Sequence, residues 1–244
     1  MCWSGPASAG MATLGFSGAI WAKWRGEGWM RWGTLAYFSS MELLQAFTYS
    51  VIGICAITGA SGGKWNEILT YLSYIHICIQ PIFTNLFGLS FSQKGDGLKK
   101  WLKIAMPISL ISVLLMLSRM YFHGAFGHCD INDTPLCGPD VCSYHGEWHI
   151  AWRLSLNAMD EWNFFGYKIT WLVYNLPVFA LPLFYGGWRW SLYHFIFGIF
   201  TARMLTGNKD EFAAIWCLSS IAFLIAVHIP FIHAWMETPL RKNN

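Results

Sequence analysis

Seven apolar stretches, at 7–24, 33–60, 66–91, 101–123, 168–188, 190–206 and 211–236, constrain this chain more than any other feature. A transmembrane helix needs about 20 mostly apolar residues, and each stretch has close to that length. Charged residues make up 12% of the chain, against about 25% in an ordinary soluble domain. The expectation is an all-α membrane protein, a single seven-helix transmembrane domain over 1–244. It would be integral to a plasma or inner membrane, with the lipid bilayer as its first partner. No cleavable signal is read at the start, because the first apolar stretch has no basic region before it. Basic residues fall in short clusters between the stretches, a distribution that does not suit nucleic acid.

The same clusters set an orientation. Lys23, Arg25 and Arg31, then Lys94, Lys99, Lys100 and Lys103, then Arg189, then Arg241 and Lys242 occupy alternate connections. The other connections are neutral or acidic, including 124–167 with Asp130, Asp133, Asp140, Glu147, Asp160 and Glu161. Lys and Arg concentrate on the cytoplasmic side, so the N-terminus is expected outside and the C-terminus inside. Tryptophan agrees. Trp21, Trp24, Trp29, Trp32, Trp101, Trp188, Trp190 and Trp235 would belt the inner interface. Trp3, Trp65, Trp148, Trp152, Trp162 and Trp171 would belt the outer one. In the first stretch, Ser8/Ala12, Gly15/Ala19 and Gly18/Ala22 have the small-xxx-small spacing that lets helices approach closely. Prolines at 81, 107, 177, 182 and 230 fall inside stretches and are expected to kink them.

The 124–167 connection is expected to be an extracytoplasmic loop. It carries Cys129, Cys137 and Cys142, with Cys2 on the same side. An oxidising face favours two disulfides among these four. The competing set is Cys137, Cys142, His145 and His149, whose spacing resembles a zinc site. Cys55, Cys78 and Cys217 lie inside stretches and are expected to pack as small apolar residues. Residues 147–165 alternate aromatic, apolar and charged side chains. They are expected to form an interfacial helix between spans four and five, with His149 and Arg153 facing a polar entrance or water.

Several of these residues carry a resemblance. Met1-Cys2-Trp3-Ser4, Met41 to Phe47, Tyr74 to Ile77 with Gln80-Pro81, the three loop cysteines, Trp148 to Trp152 and Ala214 to Cys217 together resemble an uncharacterised family. Its members are seven-span membrane proteins with an MCWS start. The resemblance implies the topology above and no chemistry.

The polar residues within the stretches are the candidate site. Glu42 is about 10 residues, or about 15 Å, from the inner end of its stretch, near the middle of a core about 30 Å thick. Gln45 and Tyr49 follow on its face. Ser73, His76, Gln80 and Thr84 stripe the third stretch, with His76 at similar depth, so Glu42 and His76 are expected to meet. Asn175 and His228 complete a candidate ring for a ligand or ion. A charge at this depth costs at least about 2.5–3.5 kcal/mol and generally marks a partner or a task.

Three function classes fit. The favoured one is a transporter, channel or proton- or ion-handling protein working on a small solute or ion through Glu42, His76 and Gln80. The second is a metal-dependent intramembrane enzyme acting on a lipid. It is suggested by a partial resemblance to the alkaline ceramidase and adiponectin-receptor superfamily, with His76, His228 and His233 as zinc ligands, or by bis-histidine haem. There the superfamily has H-x3-H in its last span, whereas here the spacing is H-x4-H. Positions i and i+5 lie about 140° apart around a helix, so one metal would need a distortion at Pro230. The third is a receptor or assembly subunit, and an oligomer is open in every case. Whether the chain is an enzyme is left undecided, and no cofactor is favoured.

Overall fold

The structure is a computed structural model. It describes residues 3–52, 63–130, 132, 134–161, 163–164 and 167–237. Met1, Cys2, Cys55, Asp133, Trp162, Arg241 and Lys242, named above, lie outside the described residues, as do the side chains of Asp160, Glu161 and Trp171.

The chain is mostly helical. Helix α1 (Gly5–Trp24) is capped by Ser4, whose hydroxyl accepts the Ala7 N–H at 3.4 Å, and has Pro6 in its first turn. Both choices suit a helix start. Its buried face is Ser8, Ala12, Gly15, Ala19 and Ala22. These small residues let α2 (Trp29–Tyr49) lie so close that a Cβ on Gly15 would be 2.0 Å from Ser39 Oγ. Helix α3 (Lys64–Ser92) and α4 (Gly95–Ser118) carry Pro81 and Pro107 within unbroken helix.

The later stretches are less regular. Helix α5 (His123–Phe126) is one turn. Helix α6 (Ile169–Asn175) runs through a π-helical turn, Leu176–Ala180, into α7 (Leu181–Phe184). Pro177 and Pro182 sit in this run and cannot donate backbone hydrogen bonds. Asn85 of α3 caps the disturbance, donating to Pro177 O at 2.8 Å while accepting from Tyr185 at 3.1 Å. Helix α8 (Trp188–His194), a second π-helical segment (Phe195–Phe200) and α9 (Thr201–Leu205) form the next run. Helix α10 (Phe212–Ala226) is followed by α11 (Pro230–Met236), bent from it by 100°.

Among the described residues, α3 and α4 are long and apolar enough to cross a membrane. The α10–α11 pair makes a third if it is counted as one broken span. The expected stretch 33–60 is helical only to Tyr49 within the described residues, and 211–236 is not one straight helix. Pro230 supplies the reason for the second difference, since its ring disfavours the helical conformation in the residue before it; Ile229 is extended, at φ −68° and ψ 129°.

The connection between α4 and α6 departs furthest from expectation. In place of an interfacial helix it forms a hairpin of β1 (Cys142–His145) and β2 (Ile150–Arg153), antiparallel, with His145 opposite Ile150. A second pair, β3 (Asn163–Phe164) and β4 (Tyr167–Lys168), precedes α6. The chain is therefore not all-α. Tertiary capture explains the hairpin. Asn66 of α3 accepts the Ser143 N–H at 2.7 Å and donates to its carbonyl at 2.8 Å, while Thr70 meets the Ser143 hydroxyl at 2.7 Å. Trp152, expected at an interface, is instead fully buried on β2, and Trp190 is buried against Phe87.

Candidate functional site: a buried carboxylate under a hairpin cap

Glu42 and Gln45 share one face of α2, and both are fully buried. Tyr49 follows on that face at the end of the helix. The expected partner, His76, is engaged elsewhere. Its Nε2 lies 2.9 Å from Tyr37 O and 3.1 Å from Ser40 Oγ, and its ring stacks on Tyr37 with centroids 4.0 Å apart.

Glu42 faces His149 instead, with Oε1 3.5 Å from Nε2 and both side chains buried. His149 comes from the turn of the β1–β2 hairpin, and a second carboxylate builds that turn. Glu211, at the start of α10, accepts the backbone N–H groups of Glu147 at 3.2 Å, Trp148 at 2.6 Å and also His149, with the Thr206 hydroxyl adding a fourth donor at 2.9 Å. Converging backbone N–H groups of this kind form an anion-binding nest. Residue 146 has to be glycine here, because a Cβ would stand 2.6 Å from the Glu211 carboxyl carbon.

The nest decides which way His149 points. Ile150 N–H donates to its Nδ1 at 2.7 Å, and Tyr49 OH lies 3.2 Å from the same atom. A backbone N–H can only donate, so Nδ1 is an acceptor and the neutral ring carries its hydrogen on Nε2, toward Glu42. The Trp3 ring lies 5.5 Å from the imidazole. At 3.5 Å the Glu42 contact is longer than a normal N–H···O hydrogen bond. Both oxygens of Glu42, both polar atoms of the Gln45 amide and His149 Nε2 have no hydrogen-bond partner among the described residues. Each such buried group costs about 1–3 kcal/mol. Five buried polar atoms without a partner among the described residues therefore belong to this one cluster.

A third acidic residue ties the cap down. Asp210 accepts from Tyr144 OH at 2.8 Å and Arg153 Nε at 3.1 Å, and its carbonyl accepts Trp152 N–H at 2.9 Å. The Arg153 guanidinium also lies over the Tyr144 ring. Burial, then the Asp210 hydrogen bond and charge, push the Tyr144 phenol up to about 12. Burial works against the charge of Arg153, but Asp210 more than offsets it and raises its affinity for the proton.

The remaining candidates are dispersed. Gln80 accepts from Tyr174 OH at 2.5 Å and donates to Cys217 Sγ at 3.0 Å. Asn175 lines the same cavity as Gln80, and that cavity does not include Glu42. His228 and His233 do converge, because the 100° bend brings both toward Glu27 Oε1, at 3.9 and 3.7 Å. The Arg31 guanidinium fills that meeting point. It lies 2.7 Å from Glu27 and donates to His233 Nε2 at 2.9 Å, which occupies the lone pair a metal would need. His76 is not with them, and among the described residues no group of three His, Cys, Asp or Glu is placed to hold a metal ion. The expected zinc or haem ligand set of His76, His228 and His233 is thus not assembled.

The zinc set in the connection is not assembled either. Cys129 and Cys137 form a disulfide, with Cα atoms 6.1 Å apart, and Cys142 is also disulfide-bonded. Neither Cys137 nor Cys142 has a thiolate to offer, and His149 faces Glu42. Cys78 and Cys217 are free and buried.

Sequence reasoning placed His149 in a competing zinc set, or at a polar entrance, in water or against headgroups, and left Asn66 and Glu211 without a role. A signal existed in Glu211. A carboxylate beside Lys209 and Asp210 reads as a solvated turn, yet it directly precedes the most apolar helix, where buried capacity has to be matched.

A family model matches residues 6–237, nearly the whole chain, and its description is a family of unknown function, DUF5765. No curated protein and no solved structure matches the chain.

Proposed function

The chain belongs to DUF5765, a family of unknown function; from that premise, which assigns no activity, we propose that it is a multi-pass membrane protein that passes a proton or small cation through Glu42. The bundle has seven spans with the N-terminus outside, and the hairpin cap lies over its outer end. The alternation of basic connections supports this orientation. The outward apolar surface of α4, where Ile108, Leu110, Ile111 and Leu114 are exposed, supports contact with lipid.

One observation carries the reading: Glu42 is fully buried, and neither of its oxygens has a hydrogen-bond partner among the described residues. Ionisable residues at membrane depth mark ion and proton pathways. A proton arriving at Glu42 neutralises the carboxylate and gives it an O–H to donate. Gln45 stands one turn on, with an amide oxygen that has no hydrogen-bond partner among the described residues. His149, aimed by its backbone contacts, is the group through which the proton exchanges with the cap side. Glu42 and His149 are both buried, so transfer runs along these side chains.

The test is flux into liposomes, read with a pH-sensitive dye under a proton gradient and with Na+- or K+-sensitive dyes under gradients of those cations. Wild type is expected to dissipate a proton or cation gradient, and Glu42→Gln, which keeps shape and removes charge, to lose at least tenfold in rate while purifying and melting like wild type. Wild type that moves neither species, or a variant that moves them equally well, overturns the proposal. A Glu42→Gln protein that fails to fold shows instead that the buried set serves to pin helix register.

A further inference from the structure

Helix α4, one of the two helices long and apolar enough to cross a membrane, is fixed in its rotation by polar contacts. Ser109 accepts from the Asn85 amide at 3.2 Å, and Ser112 donates to Val173 O at 2.7 Å. Ala105 is buried on the same side, and the Trp101 ring there lies 5.9 Å from that of Tyr185. The opposite side is exposed in two parts. The first part is basic. Residues 94–103 hold Lys94, Lys99, Lys100 and Lys103 against one acid, Asp96, and all five are exposed. Asp96 lies 3.1 Å from Lys99. The second part is apolar, with Ile104, Ile108, Ile111 and Leu115 on one stripe and Leu110 and Leu114 on the next, all exposed. Lys100 heads the first stripe and Lys103, through Pro107, heads the second, in the three- and four-residue steps that keep side chains on one side of a helix.

We infer that this face of α4 binds a phospholipid whose headgroup carries net negative charge. The headgroup phosphate lies at Lys100 and Lys103, and the acyl chains lie along the two stripes. Length fits one lipid in one leaflet. Ile104 to Leu115 spans about 16 Å at 1.5 Å per residue, close to half of a hydrocarbon core about 30 Å thick. Charge selects the headgroup, because basic residues at the end of a span attract anionic lipids. Lysine presents a compact charge on a flexible stem and lacks the planar fork of arginine, so this face selects by charge and not by headgroup shape. The inference rests on one part of the proposed function, that α4 lies in a bilayer, and not on proton or cation movement through Glu42.

The test measures lipid preference at two positions of the full-length protein in lipid nanodiscs. A bimane fluorophore is attached to Ile108→Cys or, for comparison, to Leu72→Cys, which replaces an exposed residue of α3. The unsubstituted protein, treated in the same way, is the blank. The quencher is phosphatidylglycerol or phosphatidylcholine with a nitroxide on its acyl chain, each titrated against the other lipid without the nitroxide. Ile108 is expected to favour phosphatidylglycerol by at least about fivefold, the effect of one lysine near an anionic surface, and Leu72 by less than about twofold. Phosphatidylserine is expected to match phosphatidylglycerol at Ile108. The double variant Lys100→Gln, Lys103→Gln is expected to bring Ile108 down to the Leu72 value, and so is high salt with the lysines in place. Equal preference at the two positions, or a preference that survives the double substitution or high salt, overturns the inference. Quenching at Leu72 but not at Ile108 also overturns it and means that a second copy of the chain or another surface covers α4. Quenching at neither position overturns it together with the membrane reading. The readout is lipid binding, so failure of the Glu42 flux assay does not bear on it.

Discussion

At the scale of single residues, the cap is governed by where protons and charges are satisfied. Tyr144 is half-buried, donates to Asp210 and has its phenol pushed from 10.0 to about 12. The folded chain therefore prefers neutral Tyr144 more than the unfolded chain does. Its contribution to stability is complete below pH 10 and is lost as pH rises toward 12, because the unfolded state releases that proton first. Tyr144→Phe is expected to lower the urea midpoint at pH 8 and to converge on wild type by pH 12. Parallel denaturation curves at both pH values check this, and a gap that stays constant with pH would contradict it. Glu211 is the opposite case, a carboxylate whose oxygens are used by backbone N–H groups. Glu42 differs from both in having a facing imidazole and no hydrogen-bond partner among the described residues.

At the scale of elements, the α1–α2 contact rests on small side chains. A Cβ on Gly15 would meet Ser39 Oγ at 2.0 Å, Ser39 Cβ at 2.9 Å and Ile221 Cγ2 at 3.1 Å. A Cβ on Gly10 of the same helix meets nothing within 4 Å. Gly15→Ala is therefore expected to destabilise by about 1–3 kcal/mol, as overpacking does. Gly10→Ala is expected to be neutral or to stabilise by up to about 1 kcal/mol, because glycine in a helix interior is costly. Melting both variants side by side in one detergent decides it, and equal losses would contradict the packing argument. This contact was legible in the sequence, because Ser8, Ala12, Gly15, Ala19 and Ala22 repeat at helical spacing. The hairpin was not legible. Residues 147–153 have an aromatic and apolar pattern that suits a helix as well as a strand, and what selects the strand is Asn66, Thr70, Asp210 and Glu211, all distant in sequence.

For the whole molecule, the test is of sidedness. With seven spans, Lys99 lies on the inner face and Glu147 on the outer one, and both are exposed. In right-side-out vesicles with native thiols blocked, an impermeant maleimide is expected to label Glu147→Cys and to reach Lys99→Cys only after permeabilisation. Reversed labelling would overturn the orientation. Labelling of both from one side would overturn the number of spans between them.

The sequence by itself determined that the chain is mostly helical and that small residues line α1. Each of these follows from local periodicity or composition. Tertiary structure decided the partner of Glu42. Facing stripes on α2 and α3 suggest His76, but the axial and rotational register of two packed helices depends on all their side chains together, and it turns His76 to Tyr37 and Ser40. The place beside Glu42 is taken by His149, in a turn whose backbone is satisfied by Glu211. The same holds for His228 and His233, which a straight helix would keep apart and the bend at Pro230 brings to one carboxylate. Contacts between residues far apart in the chain leave no periodic trace in it, because their spacing is set by the folded path and not by the pitch of any one element.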